Sequence, residues 1–306
     1  MRKIYTIGET VLDILFENYQ PFAAKPGGAC LNTSITLGRL NVPVFFISEF
    51  GMDETGNYIN SFLLENNVST EYIYRYCDGK SALALAFLNK NKDATYDFYK
   101  IYPQKRLQIN LPEIHPNDII LFGSMFAITK EVRPKLLDFI KKVKKNKGII
   151  IYDPNFRKSH LNKLNELKPM IIENIKFADI IRGSDEDFSF IFGTYNAQET
   201  YNEISNYCKI LLYTSSTNNI TIITPNFIKN YPIKNISPKS TIGAGDNFNA
   251  GVIYSIYKMN INKEDLLTID EKKWDAIAEI SIDFATEVCL NYDNYISHEF
   301  AKKYKF

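Results

Sequence analysis

DIILFGSMFAITKEVRPKLLDFIKKVKKNKGIIIYD, residues 118–153, reads as a strand, a helix and a second strand. DIILFGS (118–124) and GIIIYD (148–153) are short apolar runs without polar alternation, the pattern of strands covered on both faces. The helix expected over 130–146 ends in the basic run Lys141–Lys147, which Val143 and Asn146 interrupt. Such a run reads as a solvated helix face rather than a nucleic-acid patch. Outward from this unit the alternation continues. KIYTI (3–7), VPVFFIS (42–48), ADIIRG (178–183), KILLYT (209–214) and NITIIT (219–224) are strand-like. Helices are expected over 27–40, 54–66 (capped by Asp53), 162–175, 185–192, 245–257 and 271–290. Buried strands alternating with helices argue for an α/β fold with a mostly parallel sheet between helical layers.

Two stretches break that rhythm. Residues 11–24 alternate loosely and can form strands of their own. EYIYRY (71–76), SALALAFLN (81–89) and ATYDFYK (94–100) are strand-like, the last two joined by a turn at KNKD, 90–93. The stretch from 71 to 100 is a β-rich insert. Leu83, Leu85 and Phe87 alternate on one of its strands, Tyr96 and Phe98 on the next. That is more apolar surface than a small ligand can cover, so one face is expected to meet protein.

Bulk properties narrow the function classes. A length of 306 residues with 45% hydrophobic content suits one large α/β domain or two modest ones. The net charge of +1, from 36 basic and 35 acidic residues, gives no field to gather nucleic acid or an anionic membrane. Cys30, Cys77, Cys208 and Cys289 lie far apart without CxxC spacing, which argues against disulfides and zinc and for a reducing cytosol. The opening MRKIYTIGETVLDILF lacks a long apolar core, and no run of about 18 apolar residues occurs, so neither a signal peptide nor a membrane helix is expected. His115, His160 and His298 are scattered in polar contexts, with no sign of a triad or metal cluster.

The chemistry concentrates in STIGAGDNFNAG, 240–251. A strand region expected to end near Ile236 leads to a Gly-Ala-Gly turn, and Asp246 opens an amphipathic helix striped by Phe248, Val252, Ile256 and Tyr257. The free N–H groups of such a helix start favour phosphate. Asp246 either caps this helix or takes a proton from an attacking hydroxyl. GAGDNF is not a dinucleotide fingerprint, because Phe248 stands at its third glycine; DGKS (78–81) is not a Walker loop, because Tyr74 stands at its first. Near the N-terminus come GETVLD (8–13), GGACLN (27–32) and GMDETG (51–56). Asp13 and Asn32 are turn or cap residues, or donors and acceptors for a polyol. YDPNFR (152–157) ends a strand and projects Arg157, where parallel sheets bind ligands.

These pieces, with RGSDED (182–187), occur in the order found in the ribokinase-like carbohydrate kinases, the PfkB family, which the chain resembles over almost its full length. YDPNFR looks most like the fructokinase and 2-keto-3-deoxygluconate kinase branches. The resemblance implies a three-layer α/β/α fold with a mostly parallel central sheet and a small β lid. It makes 1–306 a single kinase domain, with the lid at about 11–24 and 71–102. It implies ATP and Mg²⁺ as cofactors and a small sugar, fructose first among the candidates, as substrate. Asp246 is then the base, and Gly243, Ala244 and Gly245 the anion hole. Arg157 lies near the transferred phosphoryl group. Asp13, Gly28, Asn32, Phe98 and Lys100 face the sugar, although related branches often carry arginine at Lys100. Thr214 and Ser216 would serve the nucleotide, although the strand end Thr214-Ser215-Ser216 departs from the usual Thr-x-Gly. Ser184 and Asp187 replace the family's Asn-x-x-Glu, so Asp187 would reach the metal through water. Ser240 stands where the family often has an aspartate for a monovalent cation, which puts K⁺ activation in doubt. A homodimer through the lids is implied as well. 2-Keto-3-deoxygluconate, ribose and a nucleoside stay open as substrates, and a non-catalytic sugar or nucleotide sensor stays open as a function, since fold does not guarantee activity.

Overall fold

The computed structural model describes residues 2–88, 94–215 and 219–305. Its centre is a ten-stranded sheet. In chain order the strands are β1 (Ile4–Ile7), β4 (Val44–Gly51), β5 (Val68–Ser69), β6 (Ile73–Tyr76), β9 (Ile119–Gly123), β10 (Ile149–Asp153), β11 (Ile180–Ser184), β12 (Leu211–Thr214), β13 (Asn219–Ile223) and β14 (Ile228–Pro232). The numbers missing from that series belong to a second sheet of β2 (Val11–Glu17), β3 (Gln20–Gly27), β7 (Lys80–Leu88) and β8 (Ala94–Ile101). The central order is β14-β13-β12-β11-β10-β9-β1-β4-β5, with β6 also on β4. Pairing is parallel from β12 through β5 and antiparallel only at β12–β13 and β13–β14.

The apolar strand runs are buried on both faces because each face carries its own core. Ile4, Phe46, Leu121, Ile151 and Leu212 point into one core. It is closed by α1 (Ala29–Arg39), α2 (Glu54–Glu65), α7 (Ala244–Lys258), α8 (Glu271–Cys289) and α9 (His298–Lys302). Their strand neighbours Tyr5, Ile47, Phe122, Tyr152 and Leu211 point into the other. That side is closed by α3 (Arg133–Lys145), α4 (Leu164–Phe177), α5 (Asp185–Phe192) and α6 (Ala197–Ile204). The three-layer α/β/α fold with a smaller sheet therefore stands.

In the small sheet β2 pairs antiparallel with β3 and parallel with β7, and β7 pairs antiparallel with β8. The register puts Asp13 beside Ala84 and Ala84 beside Phe98, so these share one face. Leu83, Leu85 and Phe87 share the other with Leu12, Ile14 and Phe16, and Phe87 stacks on Phe16 at 4.8 Å. Three expectations need correction or limits. The strand in 71–76 is not part of the insert: β6 runs parallel to β4, with Ser48 opposite Ile73. Its alternating Tyr and Ile residues read equally well on either sheet. The strand placed before the glycine turn ends at Pro232, not near Ile236, because Pro232 has no N–H with which to carry the ladder on. The turn expected at 90–93 lies outside the described residues.

The chain rejoins the central sheet after β8 through a buried ion pair. Arg106 binds Glu49 at the end of β4, and the backbone N–H of Leu107 donates to the same carboxylate at 2.6 Å. Loss of either partner would strand a buried charge, at about 3–5 kcal/mol.

Candidate active site

A cleft of ≈ 2300 Å³ opens at the carboxyl ends of the parallel strands, between the central and small sheets. Gly8, Ser124, Asn155, Ser184 and Thr214, all at or just past strand ends, lie on its wall. This is where open α/β sheets bind ligands.

The first turn of α7 lies in the cleft. Gly243, its N-cap, has φ of 82°, a left-handed conformation that favours glycine. A Cβ there would also press on the Asn294 carbonyl oxygen at 2.7 Å. Asn247 fixes the turn: its Nδ2 donates to the Gly243 and Asn294 carbonyls, both at 2.8 Å, while its Oδ1 accepts from Thr36 at 2.5 Å. Ala244, Gly245 and Asp246 follow on the cleft wall. No side chain caps this helix start, so Asp246 does not have the capping role that a lone motif would suggest. Instead Asn32 Nδ2 donates to Asp246 Oδ2 at 2.8 Å, and Thr33 Oγ1 donates to the Asp246 carbonyl at 2.8 Å. Helices α1 and α7 thus hold Asn32 and Asp246 as a unit. Loss of water pushes the Asp246 carboxyl up to about 6; the Asn32 hydrogen bond and the charges of Arg157 and Arg182 limit the rise, and Asp153 adds to it. A carboxylate tuned this way can accept a proton near neutral pH.

On the side facing the small sheet, Gly28 caps α1 with φ of 131°, and a Cβ would meet the Glu9 carbonyl oxygen at 2.3 Å. Asn32 is 4% exposed and its Oδ1 has no partner, leaving an acceptor at the cleft wall. Asp13 packs against Gly27, and burial pushes its carboxyl up to about 7, with Lys25 opposing. Tyr96, Phe98 and Lys100, alternate residues of β8, all line the cleft. Lys100 pairs with Glu9 at 2.9 Å. Arg157 is exposed on the cleft wall, close enough to bear on the Asp246 charge.

Toward α8 the wall carries Ile220, Ile233, Pro238, Ile282 and Ala285, an apolar slot suited to a flat ring. The sequence offered no local signal for it, because its residues come from distant segments. Thr214 lies at its edge, on the end of β12, and accepts from Arg182 Nη2 at 2.8 Å. Ser216 lies outside the described residues. Asp187 is buried on α5, where its Oδ2 accepts from the Ser184 N–H at 2.8 Å and hydroxyl at 2.6 Å in a capping box. Burial and nearby Asp153 raise its carboxyl above the usual range. Among the described residues, no group of three or more metal-ligating side chains could hold an ion directly. Arg182, which the sequence marks only as the opening of RGSDED, stands between Asp153 and the Gly245 backbone.

A helix start free of any side-chain cap and a buried carboxylate share a cleft large enough for a nucleotide and a second small molecule, an arrangement that suits a phosphotransferase. The description "pfkB family carbohydrate kinase" matches residues 1–283, and the chain belongs to that family. It is an ATP-dependent carbohydrate kinase. It is 27% identical to a probable fructokinase-4 of Arabidopsis thaliana over 81% of this chain and 78% of that protein. It is 21% identical to the aminoimidazole riboside kinase of Salmonella typhimurium over 85% of this chain and 82% of that one. A fructokinase double mutant from Vibrio cholerae O395, solved with fructose, ADP and potassium ion bound, superposes with a TM-score of 0.85 at 18% identity, covering 100% of this chain and 99% of that one. No helix among the described residues is long and apolar enough to cross a membrane.

Proposed function

We propose that the enzyme phosphorylates a hydroxyl of fructose, with Asp246 as general base. The observation that carries this reading is Asp246 itself: a carboxylate raised to about 6, held by Asn32, at the start of a helix whose first N–H groups have no side-chain cap. The sugar oxygen attacks the γ-phosphorus of ATP as its proton passes to Asp246 Oδ, and the bond to the ADP oxygen breaks. Negative charge on the moving phosphoryl group is met by the N–H groups of the Gly243–Ala244–Gly245 turn and by Arg157. Asp13, Gly28, Asn32, Phe98 and Lys100 hold the sugar, and Thr214 and Ser216 border the nucleotide. The whole chain acts as one kinase domain with the small sheet as its lid, excluding water that would otherwise take the phosphoryl group. Four unpaired cysteines suit a reducing cytosol.

Mg²⁺ fits the residues present only through water. Both hydrogen bonds from Ser184 fall on Asp187 Oδ2, which leaves Oδ1 for a metal-bound water, and Asp185 and Glu186 add hard oxygen donors on the same wall. When bound with ATP, Mg²⁺ supplies positive charge to the phosphates.

The test is ADP release with a panel of sugars. We expect fructose to give the highest kcat/KM. A clear preference for ribose, 2-keto-3-deoxygluconate, or a riboside such as the one in the name of the Salmonella relative, would overturn the substrate while leaving a kinase. ADP release with none of them, despite tight binding of sugar or nucleotide, would favour a sensor.

The small sheet also supports a symmetric dimer. Its face away from the cleft carries Leu83, Leu85, Phe87 and Phe16, all only partly buried. Light scattering should show a dimer at micromolar concentration, and Leu85→Asp or Phe87→Asp should yield monomers, because a charge on an apolar face is uncompensated. A wild-type monomer would refute the dimer, and a dimer indifferent to both charges would place its interface elsewhere.

A further inference from the structure

Arg182 sits on β11, near the centre of a sheet covered on both faces, where a charge is costly unless paired. Its Nη1 donates to Asp153 Oδ2 at 2.9 Å, its Nη2 to Thr214 Oγ1 at 2.8 Å, and Asn249 Nδ2, from α7, donates to the same Asp153 oxygen at 2.6 Å. Its Nε is buried without a partner. The guanidinium also lies against the backbone of the α7 turn. A Cβ added at Gly245 would fall 2.5 Å from Nη1 and 2.7 Å from Nη2. Gly245 therefore lacks a side chain for a different reason from Gly243: it leaves room for Arg182, whereas Gly243 needs its left-handed φ.

We propose that Arg182 is a positioning residue for phosphoryl transfer, packing against the Gly243–Asp246 turn and setting a fixed positive charge among Asp153, Asp187 and Asp246. Its planar fork spans Asp153 on β10, Thr214 on β12 and the start of α7, which ties three elements of the cleft together. The charged groups that bear on Asp246 are Asp153, Arg157 and Arg182; Asn32 hydrogen-bonds it, and the Cys30 thiol on α1 lies within electrostatic reach. Of the two cations, Arg157 is exposed and Arg182 buried, so Arg182 is the one solvent does not screen.

This inference rests on the reading of Asp246 as the base. The experiment compares Arg182→Met, which keeps the stem and removes the charge, with Arg182→Lys, which keeps the charge. Arg182→Met should lower kcat by about 30- to 100-fold, with sugar KM within about threefold. The acidic limb of its pH–rate profile should move above the wild-type position, because loss of a cation favours protonated Asp246. Arg182→Lys should return the limb to its wild-type place and recover only part of the turnover, because an ammonium restores the charge but not the fork. Wild-type kcat with an unmoved limb in Arg182→Met would overturn the proposal. So would equal losses in both variants with no movement of the limb, the mark of a shape-filling role. Should Arg182→Met not fold, Arg182→Met combined with Asp153→Asn removes the stranded charge. That pair should fold and stay at least about tenfold slow, and wild-type turnover in it would reduce Arg182 to a counter-charge for Asp153. If Asp246→Asn retains turnover, it is the base assignment that fails; an inactive Asp246→Asn beside an immobile limb in Arg182→Met defeats the present inference alone.

Discussion

Asp246→Asn is expected to lose at least about a hundredfold in turnover while sugar binding is largely kept. The substitution is nearly isosteric, and an amide oxygen can still accept from Asn32 Nδ2 as the carboxylate does at 2.8 Å. Thr33 also keeps its bond to the residue 246 carbonyl. What disappears is the group proposed to take the proton. The wild type should show the matching pH dependence. As the proposed base Asp246 would work as a carboxylate, and burial raises its carboxyl to about 6. Turnover should therefore be flat above that value and fall as pH drops through it, by about tenfold for each further unit. Steady-state kinetics on folded variant and wild type from pH 5 to 8 would check both parts. Near-normal turnover in Asp246→Asn would end the base assignment.

Removal of divalent metal should abolish ADP release as completely as loss of the base. Of the cations on the cleft wall, Lys100, Arg106, Arg182 and Lys234 are each engaged by a carboxylate, which leaves Arg157 and Lys158 for phosphates besides the helix start of α7. That is too little positive charge to balance a bound triphosphate. With EDTA the rate should fall by at least about a hundredfold, and Mg²⁺ or Mn²⁺ should restore it. Undiminished turnover in excess chelator would refute the requirement. K⁺ in place of Na⁺ should change the rate little, because Ser240 supplies a hydroxyl, not a carboxylate, and Ser240 Oγ already accepts from the Ile242 N–H at 3.2 Å. Strong, saturable K⁺ activation would contradict that expectation.

Most of the central sheet was legible because its strands are uninterrupted apolar runs and its helices carry clear stripes. The exceptions are instructive. Residues 71–76 have strand character but no pattern that names a partner, and the sheet they join depends on β4, more than twenty residues earlier. Helix α6, AQETYNEI, carries no legible stripe, because of the three residues it buries, Ala197, Thr200 and Ile204, the middle one is polar. In the cleft, Asp246 and Asn32 were readable singly, since each sits in a glycine-rich motif. Their 2.8 Å contact was not, since it spans 214 positions of sequence. RGSDED marks Arg182 without giving it a role, because an arginine inside ADIIRG looks like an interruption of an apolar strand. Its meaning lies in Asp153, Thr214 and Gly245, none of which is near it in sequence.

The division of the cleft between two sheets bears on how such an enzyme diversifies. Asp246, Asn32, Arg182 and the glycine turn belong to the central layers, interlocked by α1, α7, β10 and β11. Asp13, Tyr96, Phe98 and Lys100 ride on the small sheet, whose strands bond to one another and not to the central ladder. On the proposed assignment, sequence change can accumulate on β2 and β8 and alter that part of polyol recognition, with Gly28, Asn32 and the groups proposed to transfer the phosphoryl group left in place. A chimaera carrying residues 11–27 and 80–101 of a relative with another taste would inherit that taste along with this chain's chemistry.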